Sequence, residues 1–348
     1  MKYLIIFIFV NIVHDLTAQN KFFEFKTHRI HAGEKRSLTI PIKSKTGDST
    51  FIPVTIFHGK AGGPVLGLIA GIHGNEYPPI IAMQRLPQLI ALNLLKGTII
   101  IVHMANVNAF FKRSVFYNPA DGKNLNRVFP GNKDGSISEC IAHVISTEII
   151  PRCHFLVDIH AGDASEDLHP YVGYYNYKTQ TAKAKQMAEA LGFPWVTVSE
   201  NNPTPGQPAK FCSAQSVSND IPTVAIEYGK LGQVTLEEAD FINKRLINMM
   251  QSIGLYDGTP RKFSPAFEIT KRTSIAAEYS GIFYTEFKSG ALIRKGAKLG
   301  VITDVFGNVL HEIISPIDGF IIYLTVTPPI NKGETLFSLG EFDQNSNK

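Results

Sequence analysis

The sequence predicts an α/β protein: a mixed, mostly parallel sheet with helices on both faces, followed by a small C-terminal all-β domain. Two observations carry this expectation. Up to about residue 257, short continuous apolar runs alternate with longer segments of helical apolar spacing, the pattern of a sheet buried on both faces. Past residue 263 the helical spacing stops. Short β-rich pieces follow, punctuated by Gly281, Gly290, Gly296, Gly300, Gly307, Gly319 and Gly333.

Taken in order, residues 1–18 open with Lys2, run through apolar residues and end at Ala18. They read as a secretory signal peptide, although Leu16 is large for its place before the cut. An uncleaved anchor and a buried strand are the alternatives. Residues 28–56 alternate apolar and polar with breaks at Gly33, Gly47 and Pro53, as strands of a hairpin or sheet edge do. Residues 64–70 form the first buried strand, 98–103 the second, 155–159 the third and 223–226 the fourth. Helices are expected over 78–95, with Pro78 and Pro79 at the entry, and over 138–150, closed by Pro151. Two more are expected over 179–191 and 236–253, each stopped by a glycine. The domain boundaries are therefore 1–18 for the leader, 19–257 for the α/β domain and 258–348 for the β-domain.

Of the 348 residues, 44% are hydrophobic and 18% charged, which excludes a disordered chain and a collagen-like one. The 34 basic and 30 acidic residues leave a net charge of +4, and loss of the leader removes one of each. No basic stripe accompanies that charge, so nucleic acid is not an expected partner. Nor is stable membrane insertion expected after the leader is cut. Cys140, Cys153 and Cys212 are too few for a disulfide framework and read as small buried hydrophobes.

The chemistry lies at the carboxyl ends of the strands, where open α/β sheets bind ligands. The first strand leads into Gly71-Ile72-His73-Gly74-Asn75-Glu76, the third ends in Asp158-Ile159-His160, and the fourth ends in Ala225-Ile226-Glu227-Tyr228-Gly229. His73, Glu76 and His160 make a three-ligand zinc set that leaves one position for water, the arrangement of a catalytic site. His73 and Glu76 are three apart, so one turn brings both to the same face. Glu227 is then left as general base. Each residue alone reads more readily as a hydrogen-bonded or solvated strand end; only the combination favours a metal. Of the other nine histidines, the eight beyond the leader read as structural. Asn126 and Arg127, in Asn124-Leu125-Asn126-Arg127-Val128-Phe129-Pro130-Gly131, could bind a carboxylate, or lie in a solvated turn.

This ordered set resembles the zinc carboxypeptidase superfamily, and within it the succinylglutamate desuccinylase/aspartoacylase branch. The resemblance implies a carboxypeptidase-like fold and one zinc ion per chain on His73, Glu76 and His160. It also implies Glu227 as general base and acid, with Asn126 and Arg127 on the substrate carboxylate. Arg113 lies where such proteins often carry an arginine that polarises the scissile carbonyl, although Lys112 is adjacent. In this branch an aspartate commonly supports the first zinc histidine; here Asn124 stands in that place and could accept the imidazole N–H without charge. The mobile tyrosine of carboxypeptidases has no counterpart in residues 201–211. The C-terminal domain resembles a barrel-sandwich module, but its turn at 304–308 lacks the lysine of a lipoyl carrier. Shielding of the active-site mouth, or assembly into a homo-oligomer, is its expected role.

Three readings follow: a deacylase of N-acyl amino acids, an exported carboxypeptidase or amidase acting on short or cell-wall-derived peptides, and a non-enzymatic binding protein. The complete ligand set with Glu227 disfavours the third. The expected substrate is a small amide bearing a carboxylate, and the expected location is periplasmic or secreted.

Overall fold

The computed structural model describes residues 21–342; the leader expected at 1–18 lies outside them. The described residues begin with β1 (Phe22–Phe25), β2 (His28–His31), β3 (Glu34–Lys43), β4 (Ser49–His58) and β5 (Ala61–Ala70). They continue through α1 (Tyr77–Arg85), β6 (Lys96–Val102), α2 (Val107–Lys112), α3 (Ile137–Val144), β7 (Phe155–His160), β8 (Glu166–Leu168) and β9 (Tyr171–Tyr175). Then come α4 (Thr181–Leu191), β10 (Trp195–Ser199), α5 (Cys212–Ser218), β11 (Thr223–Glu227) and α6 (Leu236–Ser252). The C-terminal part is β12 (Phe267–Ala276), β13 (Gly281–Tyr284), β14 (Leu292–Ile293), β15 (Lys298–Thr303), β16 (Val309–Ile314), β17 (Gly319–Thr325), β18 (Pro329–Ile330) and β19 (Thr335–Phe342).

The α/β class and the mostly parallel centre are as expected. β6, β5, β7 and β11 pair in parallel, in that order, with β3 and β4 antiparallel at one edge. On β5 the side chains of Leu66, Leu68 and Ala70 enter one core, with Met83 of α1, Met187 of α4 and Leu246 of α6. Val65 and Ile69 enter the opposite core, with Ile141 of α3. This period of two is why the strand reads as a continuous apolar run: both faces are covered.

Two expected helices are shorter than their apolar spacing suggested. The first ends at Arg85 in a 3₁₀ turn over Leu86–Gln88; Pro87 has no N–H to continue the ladder. The second passes from α3 into a π turn, Ile145–Ile149, and a 3₁₀ turn, Ile150–Arg152, around Pro151. Strands β9 and β10 carry no clear alternation and were not expected; β9 runs antiparallel to β11. All three cysteines are buried and unpaired. No helix among the described residues is long and apolar enough to cross a membrane.

The sheet does not stop at the expected domain boundary. β12 pairs in parallel with β10 and antiparallel with β19, so one sheet runs from the α/β part into the β-part. A second sheet of four strands, β16-β15-β13-β18, closes over a separate core that includes Phe283, Leu299, Ile302, Phe337 and Leu339. At the junction Trp195 stacks on Phe320, with ring centroids 4.1 Å apart, and β8 pairs with β17. The β-part is thus held against the carboxyl ends of the central strands.

Candidate active site

The loop after β5 must reverse tightly to bring a histidine and a glutamate back over the sheet. Gly71 takes φ +69, a region that a side chain disfavours, and a Cβ on Gly74 would lie 2.2 Å from the Ala109 carbonyl carbon. α2 therefore packs directly on this loop. Glu76 precedes α1, whose Pro78 and Pro79 occupy the first turn, where a missing N–H costs nothing. His160 closes β7, and Glu227, closing β11, is its register partner.

The structure brings His73, Glu76 and His160 together: their ligand atoms lie within 4.8 Å of one another, and all three residues are buried. The two imidazoles turn Nδ1 towards different oxygens of one carboxylate. His73 Nδ1 is 2.6 Å from Glu76 Oε1, and His160 Nδ1 is 2.9 Å from Glu76 Oε2. The outer nitrogens are engaged elsewhere. His73 Nε2 lies 3.1 Å from Asn124 Oδ1, the neutral support expected from the sequence, and His160 Nε2 lies 3.1 Å from Asp158 Oδ1. Two imidazoles and a carboxylate, converging on one point with their far sides held, are the donor set of a catalytic zinc. The residues present fit that metal.

Burial works against ionisation of Glu76, yet the His73 and His160 imidazoles beside it hold its carboxyl down at about 2. Burial also opposes charge on His160, but Asp158 and Glu76 push its pKa well above the ordinary histidine value. Glu227 behaves in the opposite way. Burial, helped by the Glu76 carboxylate and opposed by His160, Arg272 and His73, raises its carboxyl to about 7. Two carboxylates in one site with environments that push them apart give an ionised candidate ligand and a group poised to exchange a proton near neutrality.

Asn126 and Arg127 sit in a short 3₁₀ turn, Leu125–Arg127. Asn126 is buried, and its Oδ1 accepts the Cys212 N–H at 2.9 Å. Arg127 is exposed, donates Nη1–H to the Asn126 carbonyl at 2.8 Å and lies over the Phe211 ring. Arg113 is the exposed left-handed cap of α2. Among the described residues it makes no ion pair or side-chain hydrogen bond, so no such contact joins it to His73, Glu76 or His160.

Sequence reasoning missed Asp158, Arg272, Tyr323 and Glu166. Asp158 was visible: it stands two before His160 on a strand, hence on the same face. Its Oδ2 accepts the Ser213 N–H at 3.1 Å. Arg272 and Tyr323 come from the β-part, and no local pattern marks them. Arg272 donates to the Tyr171 hydroxyl at 3.3 Å and to Ser338 Oγ at 3.2 Å, and its charge is felt by Glu227. Tyr323 acts electrostatically on Arg127 and Arg272. Tyr171 is buried beside Arg272, and burial pushes its hydroxyl up to about 12. Glu166, on β8, completes an acidic wall; burial, then Asp163, Glu76 and Glu227, raises its carboxyl well above the usual range.

Residues 62–253 match the succinylglutamate desuccinylase/aspartoacylase catalytic domain. The chain belongs to this family. A succinylglutamate desuccinylase/aspartoacylase from Rhodobacter sphaeroides superposes with a TM-score of 0.78 at 22% identity, covering 93% of this chain and all of that one. The product-bound ectoine utilization protein EutE (DoeB) from Ruegeria pomeroyi gives a TM-score of 0.79 at 22% identity over 90% of this chain and 97% of that one. The N-alpha-acetyl-L-2,4-diaminobutyric acid deacetylase of Halomonas elongata is 27% identical over 316 residues, spanning 87% of this chain and 90% of the relative. The family match spans β5 to α6, the part that carries the three metal-ligand candidates and Glu227. The fold shared with the solved structures extends through the β-part.

Proposed function

We propose that the chain is a zinc-dependent amidohydrolase that removes the acyl group from an N-acyl amino acid. The observation that carries this reading is the placement of Glu227 next to His160 on adjacent parallel strands, beside the donor set of His73, Glu76 and His160. The name of the Halomonas relative supports N-acetylated amino acids as the first class to test. His73, Glu76 and His160 would hold the metal, which when bound supplies Lewis acidity and lowers the pKa of water to about 7.

Glu227 takes a proton from the attacking water and returns it to the leaving amine; a carboxyl with a pKa of about 7 suits both directions of transfer. Arg127 binds the substrate carboxylate through charge-assisted hydrogen bonds, with Asn126 beside it, and so holds the amide within reach of attack. Arg113, on its exposed cap, is proposed to approach the acyl carbonyl only when substrate is present. Buried Asp158 and the Asn124 amide keep both imidazoles in the tautomer that presents Nδ1 inward. The β-part shields the mouth of the site, with Arg272 and Tyr323 as its lining. Residues 1–18 support export, and self-association is compatible with this arrangement.

The test is mass spectrometry of products from the purified mature protein, with and without a chelator, on a panel of N-acyl amino acids and short peptides. Release of free amino acid from the acylated panel, abolished by chelation and restored by zinc, is the expected result. Cleavage of peptides alone would replace the deacylase by an exported metallopeptidase.

A further inference from the structure

The segment around Phe211 is tied to the substrate loop at three points. The Phe129 N–H donates to the Lys210 carbonyl at 3.2 Å, and the Lys210 N–H donates to the Phe129 carbonyl at 3.0 Å. Two residues on, the Cys212 N–H donates to Asn126 Oδ1 at 2.9 Å. Lys210 adopts φ 68, a left-handed backbone that a lysine seldom takes without cause. Held between these bonds, the Phe211 ring lies under the Arg127 guanidinium, whose carbon is 4.8 Å from the ring centroid.

We infer that Phe211 is a positioning residue for the substrate carboxylate, acting through Arg127. An arginine side chain loses rotamer freedom when it is ordered, and that loss opposes binding. Here the ring face attracts the cation from one side, and the Asn126 carbonyl takes one Nη1–H. The plane of the guanidinium is thereby fixed before substrate arrives, and its remaining N–H groups are free to pair with a carboxylate. The same segment sets Asn126: with Oδ1 committed to the Cys212 N–H, the side chain offers Nδ2–H to the same carboxylate. One three-residue segment so orients both donors of the clamp, which lowers the ordering cost of binding. The inference rests on the deacylase reading.

The experiment compares Phe211→Leu, which keeps the bulk and loses the ring face, with Phe211→Tyr, which restores it. On an N-acyl amino acid, Phe211→Leu should raise KM about two- to fivefold, the range of a cation–π contact at a solvent-reached site. kcat should stay within about twofold, and Phe211→Tyr should return KM to the wild-type value. In an Arg127→Ala background, Phe211→Leu should add nothing. An unchanged KM, an equal loss in kcat, or additive losses in the double variant would overturn the inference. A second readout is independent of turnover. In the full-length protein, the Arg127 Nε–H proton resonance, assigned by its loss in Arg127→Lys, should be shifted upfield by the ring. It should move downfield in Phe211→Leu and return in Phe211→Tyr; identical shifts in all three overturn the proposal. If the wild type deacylates no N-acyl amino acid, the functional reading fails, and this resonance still decides whether Phe211 positions Arg127.

Discussion

Asp158 and His160 share one face of β7, and Asp158 Oδ1 stands 3.1 Å from His160 Nε2. The other Asp158 oxygen accepts the Ser213 N–H, so the carboxylate cannot swing away. An asparagine here could keep the Ser213 bond with its oxygen only by turning its NH₂ group at the imidazole N–H. Asp158→Asn should therefore weaken zinc binding about 10- to 100-fold, the range for loss of a partner behind a metal-bound histidine. Competition against a chromophoric chelator measures this directly, and an affinity equal to wild type would rule the role out.

The support behind His73 is neutral. Asn124 Oδ1 accepts the Asn126 N–H at 2.8 Å and lies 3.1 Å from His73 Nε2. A carboxylate in the same place keeps both acceptor functions and adds charge, which raises the basicity of the ligand. Asn124→Asp should thus tighten zinc binding by roughly three- to tenfold in the same titration. Weaker binding would mean that the asparagine sets the loop rather than the imidazole.

Asn124 is read from the family resemblance, whereas sequence reasoning missed Asp158, although its place two before His160 puts it within reach of a reading by period. The pairs that depend on a fixed period are legible: two residues along a strand relate Asp158 to His160, and three along a turn relate His73 to Glu76. The ends of apolar runs likewise locate Glu227. Contacts that depend on chain crossings are not legible. Arg272 and Tyr323 reach the site because β12 joins the sheet beside β10 and β17 pairs with β8, a topology that no local pattern encodes. Phe211 belongs to the same class: its relation to Arg127 rests on a non-local pairing between Phe129 and Lys210. The overestimated helices have a different cause. Apolar spacing reports which face is buried, and it continues through Pro87 and up to Pro151 although the α-helical hydrogen bonds stop at Arg85 and Val144.

Glu227 makes no side-chain hydrogen bond or ion pair among the described residues, and its carboxyl is raised to about 7 mainly by burial. Replacing it by glutamine keeps the volume and removes the proton exchange. Glu227→Gln should lower kcat about 10²- to 10⁴-fold, the span of general acid–base catalysis, while zinc content stays at one per chain. Elemental analysis alongside single-turnover kinetics separates the two effects. A variant that retains activity would move the base elsewhere; one that loses zinc would make Glu227 part of the metal site.

The loop carrying Asn126 and Arg127 is anchored by a carboxylate outside the active site. Glu139, in the first turn of α3, accepts from Lys123 Nζ at 2.8 Å and from the Ser136 N–H and hydroxyl at 2.9 Å each. Lys123, then the Ser136 donors, hold its carboxyl at about 2 instead of 4.5. A pKa lowered on folding stabilises the folded state above the unfolded value, and that stability is lost as pH falls through the folded value. Because the Lys123 side chain is 42% exposed, solvent screening limits the contribution to about 1 kcal/mol. Glu139→Gln should therefore lower Tm by on the order of 2 °C at pH 7. The gap should hold down to about pH 4.5 and close as the pH approaches 2. Scanning calorimetry of both proteins from pH 7 to 3 checks the sign: a gap that widens on acidification would contradict the assignment.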